Sequence, residues 1–347
     1  MSKKDPRVGR RQITERTAVT AIPDTPRYTL EEAVEFVVKV KRAKNLKGRT
    51  LNGYIANMSY FVEWLNENYP DAKADDITIE ILREYILWCA AEKEYYGGHP
   101  FKEGLDRDRR GLAPTSVNVR IRVLRTFFRT MYEEGLINSN PAVNLSLMRE
   151  DVDTVTPLTD DELKLLLRAP DRKYYAQNRD YIIMILILDT GMRLNEICAL
   201  EVSDIDFQRK LIILPASKNK NRRSRTLPLS VEVLRNLRQL IAETRQYFDT
   251  TYVFVTNYGE PLNEKTVQKA MTKYGEKAKL GRAVSPQVLR HNFGTMAAEN
   301  GMSVFHLQKI MGHADIKTTR RYVQISEESL MDQHNRHSPI VRVLKRK

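Results

Sequence analysis

Between Ser285 and Tyr322 three apolar-patterned segments are packed into fewer than forty residues, and short helices joined by tight turns account for their spacing. Val288, Leu289, Phe293, Met296 and Ala297 recur at intervals of three and four, the period of a helix with one apolar face. Gly301 follows where such a helix should end. A second run sets Val304, Leu307, Ile310 and Met311 on one face and stops at Gly312 and His313. A third starts near Asp315, whose carboxylate is placed to cap it, and continues through Thr318 and Thr319 to Tyr322. Folded this way, the segment is expected to bring Arg290, His313 and Tyr322 to one concave surface.

Each of the three has an ordinary explanation alone. A tyrosine on an amphipathic helix usually packs in a core, and a histidine after a glycine usually ends a helix. The joint pattern L-R-H, L-x-x-x-M-G-H and T-T-x-x-Y is what carries weight. It resembles the C-terminal half of the tyrosine recombinases, the family of phage integrases and of Cre-like and Xer-like enzymes. Tyr322 follows His313 by nine residues, which is the family spacing.

The rest of the chain bounds this reading. A length of 347 residues suggests two domains and a tail, and 41% hydrophobic residues suffice for real cores. The longest apolar run, Tyr181 to Leu188, suits a buried helix and is too short to span a bilayer. The N-terminus lacks the apolar core of a signal peptide, and Cys89 and Cys198 both sit in apolar helical patterns, so a reducing compartment, the bacterial cytoplasm, is expected. A formal charge of +13 points to a polyanionic partner. Residues 1–27 are polar and basic and read as a disordered arm, either touching phosphates or merely solvated. So short an arm argues for a simple recombinase of a mobile element rather than one with a separate arm-binding domain.

Residues 28–147 read as an all-helical block. Thr29 and Glu32 form a capping box, a long helix starts near Lys47 and ends before Pro70, Thr78 opens a third, and Pro114 a fourth. The charged, glycine-containing loop of residues 95–113 is long for a compact domain, hence functional or mobile. Arg120, Arg122, Arg125 and Arg129 fill the fourth helix between its apolar positions, and no acid occurs from Ser116 to Tyr132. We expect these arginines to meet DNA phosphates. The stretch T-S-V-N-V-R-I-R-V-L-R-T-F-F and the later N-P-A-V-N are similar to the end of the family's core-binding (SAM-like) domain. Residues 148–157 read as a linker.

Residues 158–326 hold the remaining parts, and 327–347 form a tail. Thr159 and Glu162 make another capping box, and a helix through Tyr181 to Leu188 leads into T-G-M-R-L-N-E. Arg193 and Glu196 fall on one helical face, where an ion pair is the plain reading. T-G-x-R-x-x-E also resembles the family's first signature, whose arginine clamps the scissile phosphate. Leu211 to Leu214 and Arg225 to Leu229 read as strands joined by a basic loop. This is similar to the hairpin that carries the family's active-site lysine: Lys218 fits best, Lys220 is the alternative, and Lys220 and Arg222 otherwise serve backbone phosphate. Tyr252 to Val255 reads as a further strand. Where the family usually has histidine, three residues before Arg290, this chain has Gln287, which can donate a hydrogen bond but cannot exchange protons near neutral pH.

The resemblance implies a mainly α fold with a small β-hairpin, two domains forming a C-shaped clamp on double-stranded DNA, and a homotetramer at specific recombination sites. It implies Tyr322 as nucleophile, Arg193 and Arg290 as phosphate clamps, His313 as donor to a phosphate oxygen, Lys218 as acid to the leaving oxygen, and Glu196 in support; Gln287, a departure from the family, is expected from its place before Arg290 to donate to a non-bridging oxygen. No metal, nucleotide or other cofactor is expected: the chain lacks a phosphate-binding G-x-x-x-x-G-K-[ST] loop and a spaced carboxylate set. A topoisomerase-like nicking-closing enzyme and a catalytically silent DNA-binding relative are the alternatives. The apolar residues of the tail, Ile325, Leu330, Met331 and Ile340 to Leu344, are expected to dock on a neighbouring protomer.

Overall fold

The structure, a computed structural model, describes residues 28–93, 110–150, 156–218, 223–320, 322, 331, 334–336 and 338–344. The arm, most of the 95–113 loop, Lys220 and Arg222 lie outside the described residues. The chain divides into two compact units on either side of residues 152 and 153.

The first unit has four helices: α1 (Leu30–Ala43), α2 (Gly48–Asn68), α3 (Ile79–Ala91) and α4 (Pro114–Glu133). Their starts follow the local chemistry. Thr29 and Glu32 exchange the two bonds of a capping box, the Thr78 hydroxyl accepts from Ile81 N–H, and Pro114 opens α4 where its missing N–H costs nothing. The core is aromatic. Phe61, Tyr85, Phe127 and Phe128 are fully buried, with Phe61 and Tyr85 edge to face at 4.9 Å between centroids.

In the second unit α5 (Asp160–Arg168), α6 (Tyr175–Thr190) and α7 (Leu194–Cys198) precede a three-stranded antiparallel sheet. The sheet orders β1 (Ile205–Asp206), β2 (Leu211–Leu214) and β3 (Arg225–Pro228) in sequence. Leu214 pairs with Arg225 and Ile212 with Leu227, and alternation buries Ile212, Leu214 and Leu227 while Ile213 faces outward. Then come α8 (Val231–Tyr247), α9 (Glu264–Lys277), α10 (Pro286–Glu299), α11 (Val304–Met311) and α12 (Ile316–Arg320). The mainly α architecture with a small sheet is as expected. Residues 252–255 differ: Val253, Phe254 and Val255 are buried, but they make only isolated bridges, Tyr252 to Glu201 and Val255 to Pro261. Neither partner can extend a ladder, because Glu201 enters a 3-10 turn and Pro261 has no N–H.

Two devices fix α10, the helix that carries Arg290. Asn292, fully buried, donates to the Leu158 carbonyl at 2.6 Å and accepts from its N–H at 3.1 Å. Gly191 ends α6 at φ 61°, and a Cβ there would lie 2.4 Å from the Phe293 ring, so only glycine lets α6 end against α10.

Among the described residues no helix is long and apolar enough to cross a membrane, and no cluster of three or more His, Cys, Asp or Glu side chains is placed to hold a metal.

Candidate active site

Arg193 caps α7 and is divided between two holders. Its N–H donates to Glu196 Oε2 at 2.9 Å and its Nη1 to Oε1 at 3.1 Å, while Nη2 donates to the Gly312 carbonyl at 3.0 Å. Glu196 is fully buried. Burial alone would raise its pKa, but two bonds from Arg225, then Arg193, hold the carboxyl below its ordinary 4.5.

Arg290 reaches the same place from α10. It donates to the Gly191 carbonyl, to the Met311 carbonyl at 2.7 Å and to His313 Nε2 at 3.0 Å. Burial, then repulsion by Arg193, lowers its affinity for its proton, and Glu196 and Tyr322 oppose this. A guanidinium nonetheless remains charged near neutral pH. Because arginine has no lone pair to offer, His313 Nε2 must be the acceptor, and the imidazole is neutral. Its proton is then on Nδ1, which donates to Thr319 Oγ1 at 2.9 Å.

Gly312 makes this convergence possible. It ends α11 at φ 64°, a left-handed conformation that turns the chain so that the Met311 and Gly312 carbonyls face Arg290 and Arg193. Tyr322 is 7% exposed in a small apolar cluster with Phe293, Leu307 and Met311. Its ring lies nearly parallel to His313, 6.2 Å between centroids, and beside His291 at 5.1 Å. It also covers Gly294, where a Cβ would be 2.9 Å from the ring.

Arg193, Glu196, Arg290, His313 and Tyr322 are therefore assembled. Gln287 is exposed at the start of α10 and, with Arg193 and Arg290, lines a depression of about 460 Å³. Asn195, Gln268 and Thr272 line the same depression without having been marked by any sequence pattern. Lys218 is held by two acids: its Nζ lies 2.6 Å from Asp204 Oδ2 and 3.3 Å from Glu201 Oε2. Burial would lower its pKa, but these carboxylates outweigh it and hold the ammonium above the ordinary lysine value. Arg225 is the residue missed. It is buried and bidentate on Glu196, at 3.0 and 2.6 Å.

On α4, Arg122, Arg125 and Arg129 are exposed, the first and last near Glu150 at 3.7 Å and Glu133 at 3.8 Å. Arg120 is a correction. It is buried, donates to the Tyr85 hydroxyl at 2.7 Å and lies 4.4 Å over the Tyr60 ring, because it sits on the opposite side of the helix from the other three.

Two arginines, a histidine and a tyrosine are thus gathered on a helical scaffold. Residues 157–329 match the Phage integrase family and residues 33–146 the Phage integrase SAM-like domain. The chain is 33% identical over 231 residues to the tyrosine recombinase XerA of Thermococcus onnurineus, covering 64% of this chain and 75% of that protein. It is 26% identical to the tyrosine recombinase XerC of Bacillus pumilus, covering 88% and 95%. The Tn1549 transposon integrase, solved in complex with transposon right end DNA, superposes with a TM-score of 0.66 at 19% identity, covering 89% of this chain and 99% of that one. The chain belongs to the tyrosine recombinase (phage integrase) family, a class of DNA strand-transferring enzymes.

Proposed function

We propose that this chain is a site-specific recombinase of a mobile element, cutting and rejoining double-stranded DNA through a 3′-phosphotyrosine on Tyr322. In this reading residues 28–147 grip the DNA, residues 158–326 do the chemistry, and four copies exchange strands in pairs through a Holliday junction. The observation that carries it is the chain of contacts from Arg290 to His313 Nε2 at 3.0 Å and from the His313 ring to the Tyr322 ring.

The Tyr322 oxygen attacks phosphorus, the P–O5′ bond breaks, and the phenolic proton leaves while O5′ gains one. Bond energy is kept in the phosphotyrosine, so rejoining needs neither nucleotide nor metal. Arg193 and Arg290 neutralise charge on the non-bridging oxygens. When a phosphate oxygen takes over the Arg290 donor, the lone pair of His313 Nε2 is released and can accept a proton. The imidazolium so formed donates to the phosphate. Lys218 protonates O5′, for which it must exchange Asp204 and Glu201 for the leaving oxygen. Gln287 donates to a non-bridging oxygen. The tail docks on the next protomer, a reading supported by Met331, Ile340 and Val343, which are 61%, 60% and 73% exposed.

The test is covalent trapping on a nicked suicide duplex carrying the element ends. Wild type should form an adduct resistant to denaturation and then a four-way junction; Tyr322→Phe should bind the site and form neither. Adduct formation by Tyr322→Phe would refute the assignment of the nucleophile, and adduct without junction would favour a nicking-closing enzyme.

A further inference from the structure

We infer that Arg225 is a positioning residue for the strand-cutting reaction: it holds the charge of Glu196 so that Arg193 stays available to phosphate. The proposal rests on the recombinase reading. Each oxygen of Glu196 takes one bond from Arg225 and one from Arg193. Oε1 accepts Nη1 of Arg225 at 3.0 Å and Nη1 of Arg193 at 3.1 Å; Oε2 accepts Nη2 of Arg225 at 2.6 Å and the Arg193 N–H at 2.9 Å. The carboxylate is saturated by this sharing. Arg193 consequently spends one Nη on Glu196, keeps Nη2 on a neutral carbonyl and retains 21% side-chain exposure, against 4% for Arg225.

Without Arg225, the only guanidinium left on this buried carboxylate among the described residues is that of Arg193. A carboxylate in a poorly solvated place draws a lone arginine into a forked, two-nitrogen pair. Arg193 would then leave the Gly312 carbonyl, and its charge would be cancelled where phosphate needs it. Arg225 also lies directly under the turn that carries His313: a Cβ on Gly312 would be 2.5 Å from its Nη1. The β2–β3 hairpin is thus connected to Arg193 through a side chain of β3, independently of Lys218.

The experiment is single-turnover adduct formation on a suicide duplex by Arg225→Gln, Arg225→Lys, Glu196→Gln and the Arg225→Gln/Glu196→Gln pair. Arg225→Gln should cut about 10²-fold more slowly at saturating DNA, since a misplaced clamp of about 1 Å costs that much. Its duplex affinity should change less than about threefold, because one clamp contributes little to binding that is dominated by many phosphates. The deciding readout is rescue. Removing the charge of Glu196 in the same chain should recover at least about tenfold of the lost rate, because no anion remains to sequester Arg193. A double variant no faster than Arg225→Gln overturns the proposal, since a purely structural loss would be unchanged or worse. So does a wild-type rate in Arg225→Gln. If Arg225→Gln loses its cooperative thermal transition, Arg225→Lys decides: it keeps a cation beside Glu196, so it should cut within about tenfold of wild type, and a folded Arg225→Lys slower by about 10²-fold or more overturns the assignment. Absence of adduct with wild type removes the recombinase reading itself, and the proposal with it.

Discussion

Gly294 lies under the Tyr322 ring, and alanine there tests whether that side chain is seated where we describe it. In a helix interior, glycine to alanine is worth about 1 kcal/mol of stabilisation. Here the new methyl would stand 2.9 Å from Cδ1 and Cε1 of the Tyr322 ring and 3.0 Å from Cζ, closer than carbon atoms approach without a shift. Overpacking of this kind costs about 1–3 kcal/mol. The net effect in the wild-type background is a loss of about 0–2 kcal/mol. With the ring removed by Tyr322→Ala, only the helical gain of about 1 kcal/mol remains. The two backgrounds should differ by a coupling of about 1–3 kcal/mol, measured as a double-mutant cycle from urea unfolding of the second unit's transition. Hydrogen exchange of the peptide containing Tyr322 should also quicken in Gly294→Ala. Equal effects of Gly294→Ala in both backgrounds would mean that the ring does not rest on α10, and that the 7% exposure of Tyr322 does not describe the free enzyme.

Glu196, held below pH 4.5, contributes stability that is complete above that pH and is lost as pH falls through its folded value; Glu196→Gln should abolish this part of the acid transition and cost about 3–5 kcal/mol at pH 7, as read by denaturation at both pH values. Gln287→Ala should slow single-turnover cleavage about 10–100-fold, since one neutral donor to the phosphate is lost; an unchanged rate would make Gln287 a bystander. Asp204→Asn removes the shorter of the two ion pairs that raise the pKa of Lys218, so the alkaline limb of the cleavage profile should move to lower pH. A limb that stays in place would show that Lys218 is not the acid.

What could be read in advance was local. Thr29 and Thr159 cap helices as short-range side-chain chemistry requires, and the first two segments after Ser285 fold as their periods demand, while the third helix ends at Arg320, short of Tyr322. Arg193, Arg290 and His313 were legible because each sits in a short pattern. Arg225 was not, because its partner is 29 residues away across a strand pair, and a strand arginine looks like any solvent-facing residue. The acids that hold Lys218 were hidden for the same reason: Glu201 and Asp204 come from the turn before β1. Arg120 was misassigned by counting charge along α4 rather than around it. At about 100° per residue it falls opposite Arg122, Arg125 and Arg129, toward Tyr85.

The Met311 and Gly312 carbonyls have a mechanical consequence. Arg290 and Arg193 come from α10 and from the start of α7, yet both donate to one half-turn of backbone at the end of α11. Besides their separate holders, Glu196 and the Gly191 carbonyl, the two arginines therefore share one common reference. A displacement of the end of α11 would move the carbonyl partners of both arginines together. In the proposed reaction, a partly displaced helix end would then leave no half-competent clamp behind.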